Sequence, residues 1–160
     1  MTELLSEAAA WTAAIGFANW PSPFPREVVT GGLGRGDVYV AEEGTEVVAA
    51  LTLQWSDEFF WGVQPDDAGY VHRLVVRRDR EGAGLGAALI DWAAAQVRAA
   101  GRTRLRLDVS ADNLPLRAHY ERLGFIYRSE REGELIEPGG GIRRWKTRLY
   151  ERDCNEENPR

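Results

Sequence analysis

Three glycines at alternate positions, Gly82, Gly84 and Gly86, separate a β-patterned run from an apolar helical run. Residues without a Cβ reach positive φ and let an anion come close to the backbone amides. The first turn of a helix adds unpaired N–H groups and a partial positive charge. The chemistry such spacing allows is the holding of a polyphosphate. The helix dipole contributes only about 0.3 to 1 kcal/mol when exposed, so amide hydrogen bonds must supply most of the affinity.

The elements that position this loop are legible on both sides. Tyr70-Val71-His72-Arg73-Leu74-Val75-Val76 lies between Gly69 and the charged turn Arg77-Arg78-Asp79-Arg80, and its β-branched and aromatic residues predict a strand. Leu85, Leu89, Ile90, Ala93, Val97 and Ala100 recur at helical spacing, with Gly101 as the stop. Two architectures join a strand to a helix through such a turn. Gly82-x-Gly84-x-x-Ala87 fits the loose dinucleotide fingerprint, with Asp108 at the distance of a ribose-binding acid. Against that reading, a charged turn intervenes between strand and glycines, and the upstream sequence reads as an antiparallel hairpin.

The second architecture rests on a family resemblance. The segment from Arg73-Leu74-Val75-Val76-Arg77 through Gly82-Ala83-Gly84-Leu85-Gly86-Ala87-Ala88-Leu89-Ile90 resembles the fourth strand, pyrophosphate loop and following helix of the GNAT acyl-CoA acetyltransferases. Asp108-Val109-Ser110-Ala111-Asp112-Asn113, followed by Ala118-His119-Tyr120-Glu121-Arg122-Leu123-Gly124-Phe125, resembles that family's fifth strand and next helix. The resemblance is specific over residues 38–125. It departs in two places. Glu81 stands where the family usually has Gln or Arg, with Arg80 one residue earlier, and the helical pattern Leu4, Ala8, Trp11, Ile15 begins where the family usually has a first strand.

The resemblance implies an α/β GNAT-like fold with a central mixed, mostly antiparallel sheet flanked by helices, the family's first strand being absent or upstream of this start. It implies acetyl-CoA as co-substrate and direct acetyl transfer to a primary amine of a small molecule, amino acid derivative or peptide. The pantetheine arm would lie along the backbone of Leu74, Val75 and Val76. The pyrophosphate would meet Arg80 and the amides of Gly82, Ala83, Gly84, Leu85, Gly86 and Ala87. Tyr120 would protonate the leaving thiolate, a phenol with a reference pKa near 10 being able to donate; equally, Leu116, Tyr120 and Leu123 form a stripe that would make Tyr120 an ordinary core residue. Asn113 caps a helix, meets the cofactor, or both. His72 is the candidate base, set by strand alternation on the face of Leu74 and Val76, with a purely structural histidine as the alternative. A GNAT-like module that binds an acyl-CoA without turnover is the competing class, favoured by Glu81.

Composition agrees with a compact enzyme: 160 residues, 44% hydrophobic, suit one domain with a substantial core, drawn here as residues 1–152 followed by a polar tail, 153–160. A net charge of -5 gives no support to nucleic-acid binding. The only cysteine, Cys154, falls in the polar tail, so no disulfide framework or cysteine metal cluster is expected. With no signal-like or membrane-spanning run, the expected location is cytoplasmic and no membrane partner is foreseen. A homodimer through the last strands would be unsurprising.

Elsewhere, Pro21, Pro23 and Pro25 with Gly31, Gly32, Gly34 and Gly36 predict an irregular connection holding one helical turn near 26–29. Strands are expected over 37–42 and 46–55, joined by Glu43-Gly44-Thr45. Asp57, Glu58, Asp66 and Asp67 form an acidic loop, read as solvated charge, with attraction of a cationic amine as the alternative. Trp20, Trp55, Phe59, Phe60 and Trp61 either wall an acceptor pocket or pack on the first helix. A strand over 103–109, a helix between Asn113 and Gly124, and a final strand pair over 125–130 and 142–150, linked through Gly139, Gly140 and Gly141, complete the expectation.

Overall fold

The computed structural model describes residues 1–17, 20–136 and 141–155. In chain order the elements are α1 (Thr2–Ala14), α2 (Arg26–Arg35), β1 (Val38–Glu43), β2 (Glu46–Gln54), α3 (Glu58–Trp61), β3 (Ala68–Val76), α4 (Leu85–Ala99), β4 (Arg104–Ser110), α5 (Leu114–Arg122), β5 (Ile126–Ile136) and β6 (Ile142–Asp153). The strands form one six-stranded sheet in the order β1-β2-β3-β4-β6-β5. Only β3 and β4 run parallel; every other neighbouring pair is antiparallel. That is the mixed, mostly antiparallel sheet expected, and it is not the doubly wound parallel sheet that the dinucleotide reading needs.

Each face of the sheet is covered. On one, Ile90, Ala93, Ala94 and Val97 of α4 and Tyr120 of α5 meet Leu51, Leu53, Val71, Leu105, Leu107 and Val109. On the other, Leu4 and Leu5 of α1 meet Ala50, Val75, Phe24 and Val29, and Trp61 of α3 packs with Ala68, Tyr70 and Leu149. Gly69 lets α4 lie this close to β3, since a Cβ there would stand 2.5 Å from Val97 Cγ2. The buried guanidinium of Arg106 is held on the second face by Glu151 at 2.7 Å and the Tyr70 hydroxyl at 2.8 Å.

Two irregularities in β3 shape the site. Its parallel pairing with β4 ends at Val71 opposite Leu107, and beyond that rung the strands part. Against β2 the register shifts by one between His72 and Val75, with Arg73 at φ 52, so two residues of β3 oppose Leu51 alone. A one-residue bulge exchanges the faces of everything after it. His72 lies opposite Thr52, and Val75 opposite Ala50, so His72 shares the face of Val75. Leu74 lies on the other face, in the α4 core. The expectation that His72 faces with Leu74 and Val76 is therefore corrected: strict alternation does not survive the bulge.

Other differences have equally local causes. The Gly-rich stretch after Pro25 is a full helix, α2, because Val29 is buried and Gly32 lets the helix approach Val38, whose Cγ2 would be 2.8 Å from a Cβ. In α1 the fully buried residues are Leu5 and Ala9, while Ile15 is exposed. The last two strands are longer than expected, and β6 runs to Asp153. Cys154 is buried rather than part of a loose tail: its N–H donates to Thr103 O at 2.8 Å, and burial pushes its thiol up to about 11. Gly139 and Gly140 lie outside the described residues. No helix among the described residues is long and apolar enough to cross a membrane.

Candidate active site

A cleft of about 1260 Å³ runs from the Gly82–Ala87 loop along β3 to α1, α5 and the β6 strand. A 3₁₀ turn, Arg78–Arg80, carries the chain out of β3, and Gly84 at φ 77 begins α4. Gly82 is also left-handed, at φ 79. The amides of Arg80, Glu81 and Ala83 close the turn on carbonyls of Arg77, Arg78 and Arg80. Those of Gly82, Gly84, Leu85, Gly86 and Ala87 donate to no described residue. Free donors in and just before the first turn of a helix suit an anion. Of the loop amides named from sequence, those of residues 82–87, only that of Ala83 is already engaged.

Arg80 is engaged too, through its side chain, with Glu43 at 2.8 Å and Asp79 at 3.2 Å. Glu81 is exposed, which keeps its charge in solvent. Beside the loop, Arg77 N–H donates to Val48 O at 2.8 Å, so residue 77 turns toward β2. By ladder alternation Val76 and Leu74 turn their N–H and C=O groups away from β2, into the gap left by β4, whereas Val75 turns to β2. The gap thus offers the backbone of Leu74 and Val76, not that of Val75.

On the far side of the gap stands Tyr120, with its ring in the α4 core, 7% exposed and edge-on to Phe125. Its hydroxyl makes no hydrogen bond to a described residue, although it borders the cleft. Burial, and then the carboxylate of Asp108, push its pKa well above that of an ordinary phenol, so it stays protonated. Asn113 caps α5, its Oδ1 accepting from Leu116 N–H at 3.1 Å.

His72 lies between two carboxylates. Its Nε2 is 3.5 Å from Asp57 Oδ2 and its Nδ1 3.6 Å from Asp108 Oδ1. Asp57 Oδ1 accepts from Phe60 N–H at 3.2 Å and caps α3, which aims the other oxygen inward. Burial raises the Asp57 carboxyl above its usual range, against the pull of His72. Asp57 is thus not the solvated loop charge expected from sequence. Asp66 pairs with Arg102 and Asp67 with Arg106, and neither enters the cleft. No sequence signal separates Asp57 from these neighbours. Asp108 did carry one, an acid alternating with Leu107 and Val109 at the end of a strand.

The aromatic set divides in the same way. Trp20, Phe59 and Phe60 line the cleft, where Phe60 meets Trp145 of β6 edge-on at 5.6 Å. Trp61 is buried under Arg106, and Trp55 stacks on Arg102. Arg73 also borders the cleft, half-buried and without a hydrogen bond or ion pair to a described residue; burial holds its guanidinium below the ordinary value.

Comparison with known proteins agrees with this geometry. Residues 4–125 match the Acetyltransferase (GNAT) family. A Bacillus subtilis (strain 168) protein named Uncharacterized N-acetyltransferase YesJ is 32% identical over 136 residues, which is 79% of this chain and 75% of that protein. A GNAT-family acetyltransferase from Listeria monocytogenes 4b F2365 superposes with a TM-score of 0.72 at 22% identity, covering 94% of this chain and 86% of its own. A GNAT-family acetyltransferase from Elizabethkingia anophelis, solved with acetyl-CoA bound, gives 0.61 at 14% identity, covering 81% and 83%. The two structures bear on the fold, and the sequence matches bear on descent: this chain belongs to the GNAT family of acetyltransferases.

Proposed function

We propose that the protein transfers the acetyl group of acetyl-CoA to a primary amine by direct attack in a ternary complex. The observation that carries this reading is the row of five free amides at residues 82 and 84–87, set beside a gap lined by unpaired strand backbone. The amides suit a diphosphate, and the backbone of Leu74 and Val76 suits the amide groups of a pantetheine arm. The structure from Elizabethkingia anophelis holds acetyl-CoA in the same fold.

An aliphatic ammonium has a pKa near 10.4 and must lose a proton before it can attack a thioester. His72 takes that proton. The nitrogen lone pair then bonds to the carbonyl carbon, and the C–S bond breaks as the tetrahedral intermediate collapses. Tyr120 donates to the sulfur as charge develops there, and the second proton, which the attacking nitrogen sheds as it becomes an amide, restores the phenol. A dry site disfavours thiolate as well as phenolate, so the raised pKa of Tyr120 does not forbid the transfer.

Free thiol released from acetyl-CoA in the presence of an amine panel tests the activity. Tyr120→Phe, with its circular dichroism unchanged, is expected to lower kcat about 100-fold or more. Unchanged turnover would remove Tyr120 from the mechanism. Tight acetyl-CoA binding without thiol release across the panel would select a binding module instead.

A further inference from the structure

Among the described residues Arg73 is the one non-glycine that holds a positive φ, 52. It sits in the bulge of β3, where two residues oppose Leu51 alone. Glycine or asparagine would hold this conformation with less strain, so the bulge by itself does not call for arginine. The side chain is half-buried and borders the cleft, as does that of His72.

Its guanidinium stands apart from the others. Among the described residues, every other arginine that is not exposed donates a side-chain hydrogen bond, and Arg73 donates none. The charges that reach it are those of Arg35, Asp108 and Asp37, and both acids are already taken. Asp37 Oδ2 accepts from Arg35 Nε at 2.7 Å. Asp108 Oδ2 accepts from Thr147 Oγ1 at 3.2 Å, and Asp108 Oδ1 stands 3.6 Å from His72 Nδ1. A cation withdrawn from water is ordinarily paired. The partner Arg73 lacks must come from the cleft.

A guanidinium is a planar fork whose N–H groups meet both oxygens of a carboxylate. One free cation balances one negative charge; a phosphate dianion would call on a second, and Arg35 is already paired. On the acetyl-transfer reading the cofactor is not the source, because its diphosphate belongs to the amides at 82 and 84–87, beyond the Arg78–Arg80 turn. Arg73 instead follows His72 directly, with Cα atoms about 3.8 Å apart. One small molecule can reach both side chains.

We propose that Arg73 anchors a carboxylate of the acceptor, which is then a small amino acid or a derivative that keeps its free carboxylate. The proposal rests on the acetyl-transfer reading for the amine and extends it to the rest of the acceptor.

The experiment measures thiol release from acetyl-CoA with glycine, β-alanine, 4-aminobutyrate, L-alanine and L-phenylalanine, each beside its carboxamide, and calorimetry of the same amino acids on the CoA-loaded protein. At least one amino acid should exceed its carboxamide in kcat/KM by about tenfold or more, the worth of a charge-assisted bidentate pair. Arg73→Gln removes the charge and leaves the backbone demand at φ 52 as it was. It should raise KM for that amino acid about tenfold and leave the carboxamide's KM and the acetyl-CoA affinity within about a factor of two. The proposal is overturned if acids and carboxamides are used alike, if Arg73→Gln keeps the preference, or if no amino acid binds. It is also overturned if Arg73→Gln weakens acetyl-CoA instead, which would assign Arg73 to the cofactor. Amino acids that bind the CoA-loaded protein through Arg73, with no thiol released from any amine, would leave the anchor standing and remove the acetyl-transfer reading. Acetylation of amines indifferent both to a carboxylate and to Arg73 would do the reverse.

Discussion

At the scale of single residues the proposed phosphate loop, residues 82–87, depends on backbone conformation more than on side chains. Gly84 holds φ 77 as the residue before α4, and Gly86 has ordinary φ with room for a Cβ 3.7 Å from Leu74 Cδ2. The two glycines therefore have different tolerances. Gly84→Ala forces a β-carbon into the left-handed region at a cost of about 1–2 kcal/mol, and it should lower Tm and weaken acetyl-CoA binding roughly tenfold by calorimetry. Gly86→Ala should leave stability within about 0.5 kcal/mol. Equal affinity in the Gly84 variant and the parent would mean that the loop amides are not the phosphate ligands. Of the side chains, Arg80 shows how a motif position read from sequence can be diverted: its partners Glu43 and Asp79 come from the end of β1 and from its own turn.

At the scale of elements, the bulge in β3 and the close seating of α4 set the site. The bulge places His72 on the α3 side while Leu74 remains on the α4 side, so on the proposed reading one strand gives the acceptor a side chain and the cofactor its backbone. The seating of α4 fixes where its N-terminal amides point. It relies on Gly69, where a Cβ would also stand 3.1 Å from Leu53 Cδ1. Gly69→Ala overpacks the β3–α4 contact and should destabilise the protein by about 1–3 kcal/mol in denaturant titration. A variant as stable as the parent would show that α4 can shift without loss. Helix α3, though a single turn, matters because its cap, Asp57, stands against His72, while its Phe59 and Phe60 line the cleft.

At the scale of the whole molecule, burial of Asp57 contributes to the pH profile of stability. The folded Asp57 carboxyl titrates above its ordinary value, so the stability it contributes is fully present below its unfolded pKa of about 3.9 and is lost as pH rises through the folded value. Asp57→Asn removes that loss and should have a higher Tm than the parent at pH 7, the two converging as pH falls toward 4. A Tm below that of the parent at neutral pH would contradict it. The sequence alone determined much of this protein. Residues Gly82, Gly84 and Gly86 before the apolar stripe of α4, and the Tyr120–Phe125 block after Asn113, are local patterns, and they identified the family. Tertiary structure alone decided the rest: the extra residue at Arg73 reversed the facing of His72, packing against Val38 made a helix of a glycine-rich stretch, and the turn at α3 separated Asp57 from Asp66 and Asp67. Each of these depends on what a residue meets across the fold, and no spacing along the chain encodes that.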